Sequence, residues 1–97
     1  MSYEYPSEQQ LKRIKDWDIF KEGIKELISY VQSLWWNPEW GFELKGKRVL
    51  RLELHCGGWS GNESIIGALS GTPFWKLCWE KSVVGGHYYF RIEAGRA

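Results

Sequence analysis

Only two cysteines, Cys56 and Cys78, occur in the 97 residues. Two thiols on different expected strands make no disulfide framework, and a reduced, intracellular setting is the expectation. The opening stretch MSYEYPSEQQ is polar and lacks the apolar core of a secretory signal, which points to a cytoplasmic protein. No apolar run approaches the length that spans a bilayer, so no membrane partner is expected. A charge excess of one sign is also missing, since the formal net charge is +1. That excludes nucleic-acid binding through bulk electrostatics, but it leaves room for a small anion held by a few local groups.

The usual signatures of catalysis are thin as well. His55 and Cys56 are neighbours on an expected strand and should point to opposite faces. Cys78 is freer to meet His55 or His87, yet no nucleophile signature surrounds it. The two histidines and two cysteines follow none of the common zinc spacings. Glu53, Glu63 and Glu80 are scattered, so no carboxylate pair stands out. The expectation is a non-enzymatic protein with no cofactor and no metal.

Aromatic residues, in contrast, are abundant. They make up 16% of the chain, with 7 tryptophans. So many large rings either fill the core or face a ligand or partner. Trp35, Trp36 and Trp40 crowd one region, as a cap on the core or as a subunit interface, and a homo-oligomer is expected.

Hydrophobic periodicity predicts a single α+β domain over residues 1–97, with a loose lead-in at 1–6. Ser7 and Gln10 fit a capping box. From Leu11 to Trp35 apolar residues, Trp17 and Phe20 among them, recur at steps of three and four, predicting a long helix over 7–35. Asp16, Asp18 and Gly23 weaken its middle and allow a kink or break near 15–18. Asn37-Pro38 closes it. Period-two alternation then predicts a hairpin with strands over 40–45 and 48–56. Ser60 and Glu63 fit a second capping box, opening a short helix over 61–70. Alternation resumes over 74–82 and 87–93, joined by Val83-Val84-Gly85-Gly86. The predicted order is α-β-β-α-β-β, with the long and short helices packed on one face of a four-stranded, mostly antiparallel sheet.

In that arrangement Leu50, Leu52, Leu54, Trp75, Leu77, Trp79, Tyr88, Phe90 and Ile92 face the helices. The outer face carries Arg51, Glu53, His55, Lys76, Cys78, Glu80, His87, Tyr89 and Arg91. It is either a recognition surface or a solvated face with cross-strand ion pairs from Glu53 or Glu80.

The stretch HCGGWSGNESIIGAL, residues 55–69, is the other candidate. A glycine-rich turn running into a helix collects backbone N–H groups at the positive end of the helix dipole, where anions bind. Gly57, Gly58 and Gly61 would let the backbone approach an anion, Ser60 and Asn62 would add donors, and Trp59 would stack on a base. The plainer reading has Ser60 capping the helix, the glycines turning the corner and Trp59 covering the core edge. The spacing matches neither a P-loop nor a dinucleotide fingerprint. Three glycines around one tryptophan exceed what a corner requires, and that excess points to an anion.

GGWSGNESIIGAL followed by FWKLCWEKSVVGGHYYFRI resembles a pattern in small phage- and prophage-encoded proteins, over about residues 54–92. The resemblance implies a virus-encoded accessory protein acting in a bacterial cytoplasm, and carries over no functional residue. Two roles then compete. One is sequestration of a small anionic, nucleotide-type signal of host defence, using the 57–63 turn for phosphate, Trp59 or Tyr89 for stacking, and Arg51, Arg91 or His87 for charge. The other is a protein-binding inhibitor, of the anti-CRISPR kind, that masks a host complex.

Overall fold

The structure, a computed structural model, describes residues 5–93. The expected long helix is two helices, α1 (Glu8–Lys15) and α2 (Ile24–Leu34). The Ser7–Gln10 capping box starts α1 as expected, each side chain bonding the other's backbone N–H. The break between the helices has a local cause. The Asp18 carboxylate accepts hydrogen bonds from the backbone N–H of Phe20 at 2.9 Å and Lys21 at 3.3 Å, an Asx-type turn that competes with helix. Gly23 then takes φ 91° ahead of α2, outside the helical region. The bend changes which residues face inward: Ile19 is buried, whereas Phe20, which the stripe placed inside, is 83% exposed. The Arg13 guanidinium spans the break by pairing with the Glu22 carboxylate.

A short helix α3 (Pro38–Gly41) leads into β1 (Phe42–Lys45) and β2 (Val49–His55), followed by α4 (Ser60–Ser70). Trp59, not Ser60, occupies the N-cap of α4, and no side chain caps it, so the second capping box does not form. The expected strand over 74–82 is also corrected. Residues 73–78 wind into a helix, α5 (Pro73–Cys78), and the strand is the shorter β3 (Trp79–Val83). Thr72-Pro73 is the reason. Thr72 is fully buried, its hydroxyl accepting from the Trp75 N–H at 3.3 Å and donating to the Leu69 carbonyl at 2.7 Å. Proline at the first turn is pre-organised for a helix start. Phe74 and Cys78, four apart, then fall on one buried helical face. Cys78 therefore belongs to the core side and not to the outer face, while Leu77 and Trp79 are half-exposed.

The last strand is β4 (His87–Glu93), and the four strands lie in the order β1-β2-β4-β3, antiparallel throughout. Both expected hairpins are present. The central pair runs in unbroken register from Val49↔Glu93 to His55↔His87. On the inner face Leu52, Leu54, Phe90 and Ile92 are buried against Leu27, Val31, Trp35, Ile65, Leu69 and Phe74 of the helical layer. The outer face of the sheet carries Arg51, Glu53, His55, His87, Tyr89 and Arg91, as the alternation predicts. Among the described residues no helix is long and apolar enough to cross a membrane.

Candidate functional site

β2 ends where the Cys56 N–H donates to the Gly86 carbonyl at 2.9 Å, fastening it to the β3–β4 turn. Gly57 and Gly58 follow with φ 64° and 75°, left-handed conformations that glycine adopts without steric cost. They swing the chain from the sheet into α4.

The space around these glycines is taken by tryptophans. A Cβ on Gly57 would lie 3.0 Å from the ring of Trp40 and 3.5 Å from that of Trp36. A Cβ on Gly61 would collide with the ring of Trp59, which lies across the first turn of α4. Gly58 alone of the three faces open space. The glycine excess of the 57–63 turn thus accommodates indole rings. Trp59 itself stacks on Tyr5 at 4.9 Å between centroids and lies 5.8 Å from the ring of Trp36. Ser60 donates to the Tyr5 hydroxyl at 3.1 Å. Of the expected lead-in, Tyr5 is held by these contacts, and residues 1–4 lie outside the described residues.

Asn62 is placed differently from its expected role as a ligand donor. It is fully buried; its Oδ1 accepts from the Trp36 N–H at 2.8 Å, and its Nδ2 donates to the carbonyls of Trp36 at 3.2 Å and Cys56 at 3.4 Å. It joins the chain after α2 to the glycine turn, pairing both backbone groups of Trp36 and sharing the Cys56 carbonyl with the Trp59 N–H.

That junction presents a shallow, largely open cleft of about 270 Å³, lined by Trp36, Asn37, Trp40 and Gly57. Asn37 has φ 53°, the only positive φ of a non-glycine residue among the described residues. It turns the chain sharply into α3. Gly41 at the end of α3 then lies so close to the His55 carbonyl that a Cβ would not fit. This contact sets Trp40, which is 56% exposed, beside His55, with ring centroids 6.0 Å apart.

His55 faces His87 across the central pair, their Nδ1 atoms 2.7 Å apart, so one ring donates and the other accepts. The Glu53 carboxylate lies 3.6 Å from Nε2 of His55. Tyr89 meets the His55 ring edge-on at 6.0 Å, and the Lys81 ammonium sits 4.9 Å over the Tyr89 ring. Beyond them, Arg51 and Arg91 are direct cross-strand partners, and Lys45 is the partner of Arg51 on its other side. Three cations thus form one row over three strands, an arrangement that opposes folding unless anions are near. Glu80 approaches Arg51 at 3.7 Å, Glu93 lies 2.9 Å from Arg91, and Glu43 lies 2.8 Å from Lys45. A smaller recess of about 150 Å³ lies among Arg51, Glu53, Glu80, Lys81 and Tyr89.

The structure therefore groups Arg51, His87, Tyr89 and Arg91 on one open face, and places Gly57 and Gly58 just beyond β2 and Trp59 and Ser60 at the start of α4, against Tyr5. Trp36, Asn37, Trp40 and Gly57 line the cleft; the sequence placed Trp36 and Trp40 in a core cap or subunit contact and Asn37 at the end of a helix. The thiols take no part. Both are buried, and burial, aided by the Glu63 charge, pushes Cys56 up to about 11, far from a thiolate at neutral pH. Among the described residues no group of three or more histidine, cysteine or acidic side chains could hold a metal ion. No known protein family, curated protein or solved structure matches the chain.

Proposed function

We propose that the chain is a non-enzymatic binding protein for a small anionic ligand of nucleotide type, held where the Trp36–Trp40 cleft meets the histidine pair. The observation that carries this reading is the cleft itself: two indoles meet over Gly57, where the missing Cβ leaves room for both rings at its edge. Its volume is just under the roughly 300–1,000 Å³ of small-molecule sites. It suits one planar ring system stacked on indole, worth about 1–3 kcal/mol per base. The anionic part then extends past Trp40 toward His55 and His87, and toward Arg51 and Arg91 beyond. The Gly57–Trp59 turn supplies the floor and wall of the site, and phosphate is assigned to the sheet face. The resemblance of residues 54–92 to small phage and prophage proteins supports a virus-encoded role, sequestering a nucleotide signal in the host cytoplasm.

Titration of tryptophan fluorescence with a panel of cyclic mono- and dinucleotides tests this. Quenching that disappears in Trp40→Ala and weakens in His87→Ala is expected, and unchanged titrations in both variants place the ligand elsewhere. The cationic row of Lys45, Arg51 and Arg91 favours a second reading, in which the flat outer face masks an acidic surface of a host protein. Under that reading Arg51→Glu with Arg91→Glu abolishes activity in infected cells, and Trp40→Ala leaves it intact. Exposed Leu77, Trp79, Val83 and Val84 near the β3 edge support self-association, which native mass spectrometry reads directly.

A further inference from the structure

We propose that His55 and His87 form a two-imidazole chelate for a late first-row transition-metal ion of tetragonal preference, copper(II) or nickel(II). This does not rest on the nucleotide reading. The two residues are cross-strand partners at the end of a register unbroken over seven pairs, so their backbones are held at fixed separation. Both rings turn Nδ1 toward each other, 2.7 Å apart. Two metal–nitrogen bonds of about 2.0 Å at a right angle place their nitrogens about 2.8 Å apart, whereas a tetrahedral ion requires about 3.3 Å. The nitrogens need to separate by only about 0.1 Å for the first geometry, and each ring must rotate so that its Nδ1, now aimed at the other ring, points at the ion. Tetragonal coordination is the habit of copper(II) and nickel(II), and imidazole is a ligand both accept.

The surroundings match what a bound imidazole needs. A ring that gives Nδ1 to a metal carries its proton on Nε2, and Nε2 of His55 faces the Glu53 carboxylate at 3.6 Å. An acidic partner behind the ligating ring holds its orientation and raises its basicity. Because no third protein ligand completes the site among the described residues, the other positions fall to water or to an anionic group of an incoming ligand. The ion takes the place of the proton between the two Nδ1 atoms: the donor ring gives up its Nδ1 proton and is protonated by solvent at Nε2 instead, so both ligating imidazoles stay neutral.

The test is isothermal titration of the full, untagged chain with copper(II) chloride and nickel(II) chloride after removal of adventitious metal. Copper spin-resonance spectra are recorded in parallel. The expected result is one ion per chain, coupling to two nitrogens, and tighter binding of copper than of zinc. His55→Ala and His87→Ala should each lose the two-nitrogen signal, with near-ultraviolet circular dichroism confirming that they fold. Glu53→Gln should weaken binding roughly 10-fold, the lower end of what an outer-shell partner contributes. Absence of binding, or equal binding by His87→Ala and the parent, overturns the proposal.

Discussion

The indole of Trp59 lies on the backbone of Gly61, where any side chain would strike the ring. The contact fixes the tryptophan across the start of α4, with Tyr5 stacked on it. Gly61→Ala must therefore displace the ring or the helix. Overpacking of this kind costs about 1–3 kcal/mol, and urea unfolding should show a lower midpoint with an unchanged slope. A neutral or stabilising effect, as expected for glycine to alanine in an open helix, would mean that the ring packs elsewhere.

Asn62 separates a structural from a ligand-binding role. Its side chain makes three hydrogen bonds in the interior. Asn62→Ala removes the partner it gives the Trp36 N–H and carbonyl, and leaves the Cys56 carbonyl only the Trp59 N–H, at a cost of about 1–3 kcal/mol for such a buried group. Thermal unfolding should show the loss in the absence of any ligand. A variant as stable as the parent that fails to bind would return Asn62 to the site.

Gly57 and Gly58 form a matched pair. Both have left-handed backbone, so alanine at either strains the chain by about 1–2 kcal/mol. Only at Gly57 does the new Cβ press against Trp40, with Trp36 in ordinary contact beside it. Gly57→Ala should therefore obstruct the cleft and weaken nucleotide binding, while Gly58→Ala loses comparable stability and binds as the parent does. Equal binding losses would point to the turn's backbone rather than the cleft.

The thiol of Cys56 predicts a pH dependence. Burial raises it from 9.0 to about 11, because the charged thiolate is disfavoured inside. The folded state therefore holds its proton more tightly than the unfolded chain does. That contribution is complete below the unfolded value and is lost as pH rises toward about 11. Burial raises the phenol of Tyr88 as well, and it acts in the same direction. Denaturant midpoints should fall between pH 9 and 11, and less so in Cys56→Ala. Iodoacetamide at neutral pH should leave both cysteines unmodified until the chain unfolds, as intact mass would report.

Much of this architecture was legible from local pattern. Alternation from Arg48 to Cys56 and from His87 to Glu93 gave β2 and β4 and the sides their residues face, because period two is fixed by the pleat. It misled over 74–82, where Phe74, Trp75, Leu77 and Cys78 satisfy a strand's alternation and a helical turn equally well in so short a span. Thr72-Pro73 decided between them, capping and starting a helix directly after Gly71 ends the one before. The long helix failed at Asp18, whose side chain captures the backbone within its own turn. The cleft was not legible at all. Gly57 and Trp40 meet only because α3 packs on the end of β2, and glycine spacing alone does not distinguish room for an anion from room for a ring.

The most direct test of the cleft is a nitrogen–proton correlation spectrum of the tryptophan indoles, recorded while the full chain is titrated with the cyclic nucleotide panel. The signals of Trp36 and Trp40, assigned by substitution, should shift together with the imidazole signals of His55 and His87, while buried Trp17 and Trp35 stay fixed. Shifts confined to the Arg51–Arg91 face, or no shift of Trp36 and Trp40 with any member of the panel, would contradict it.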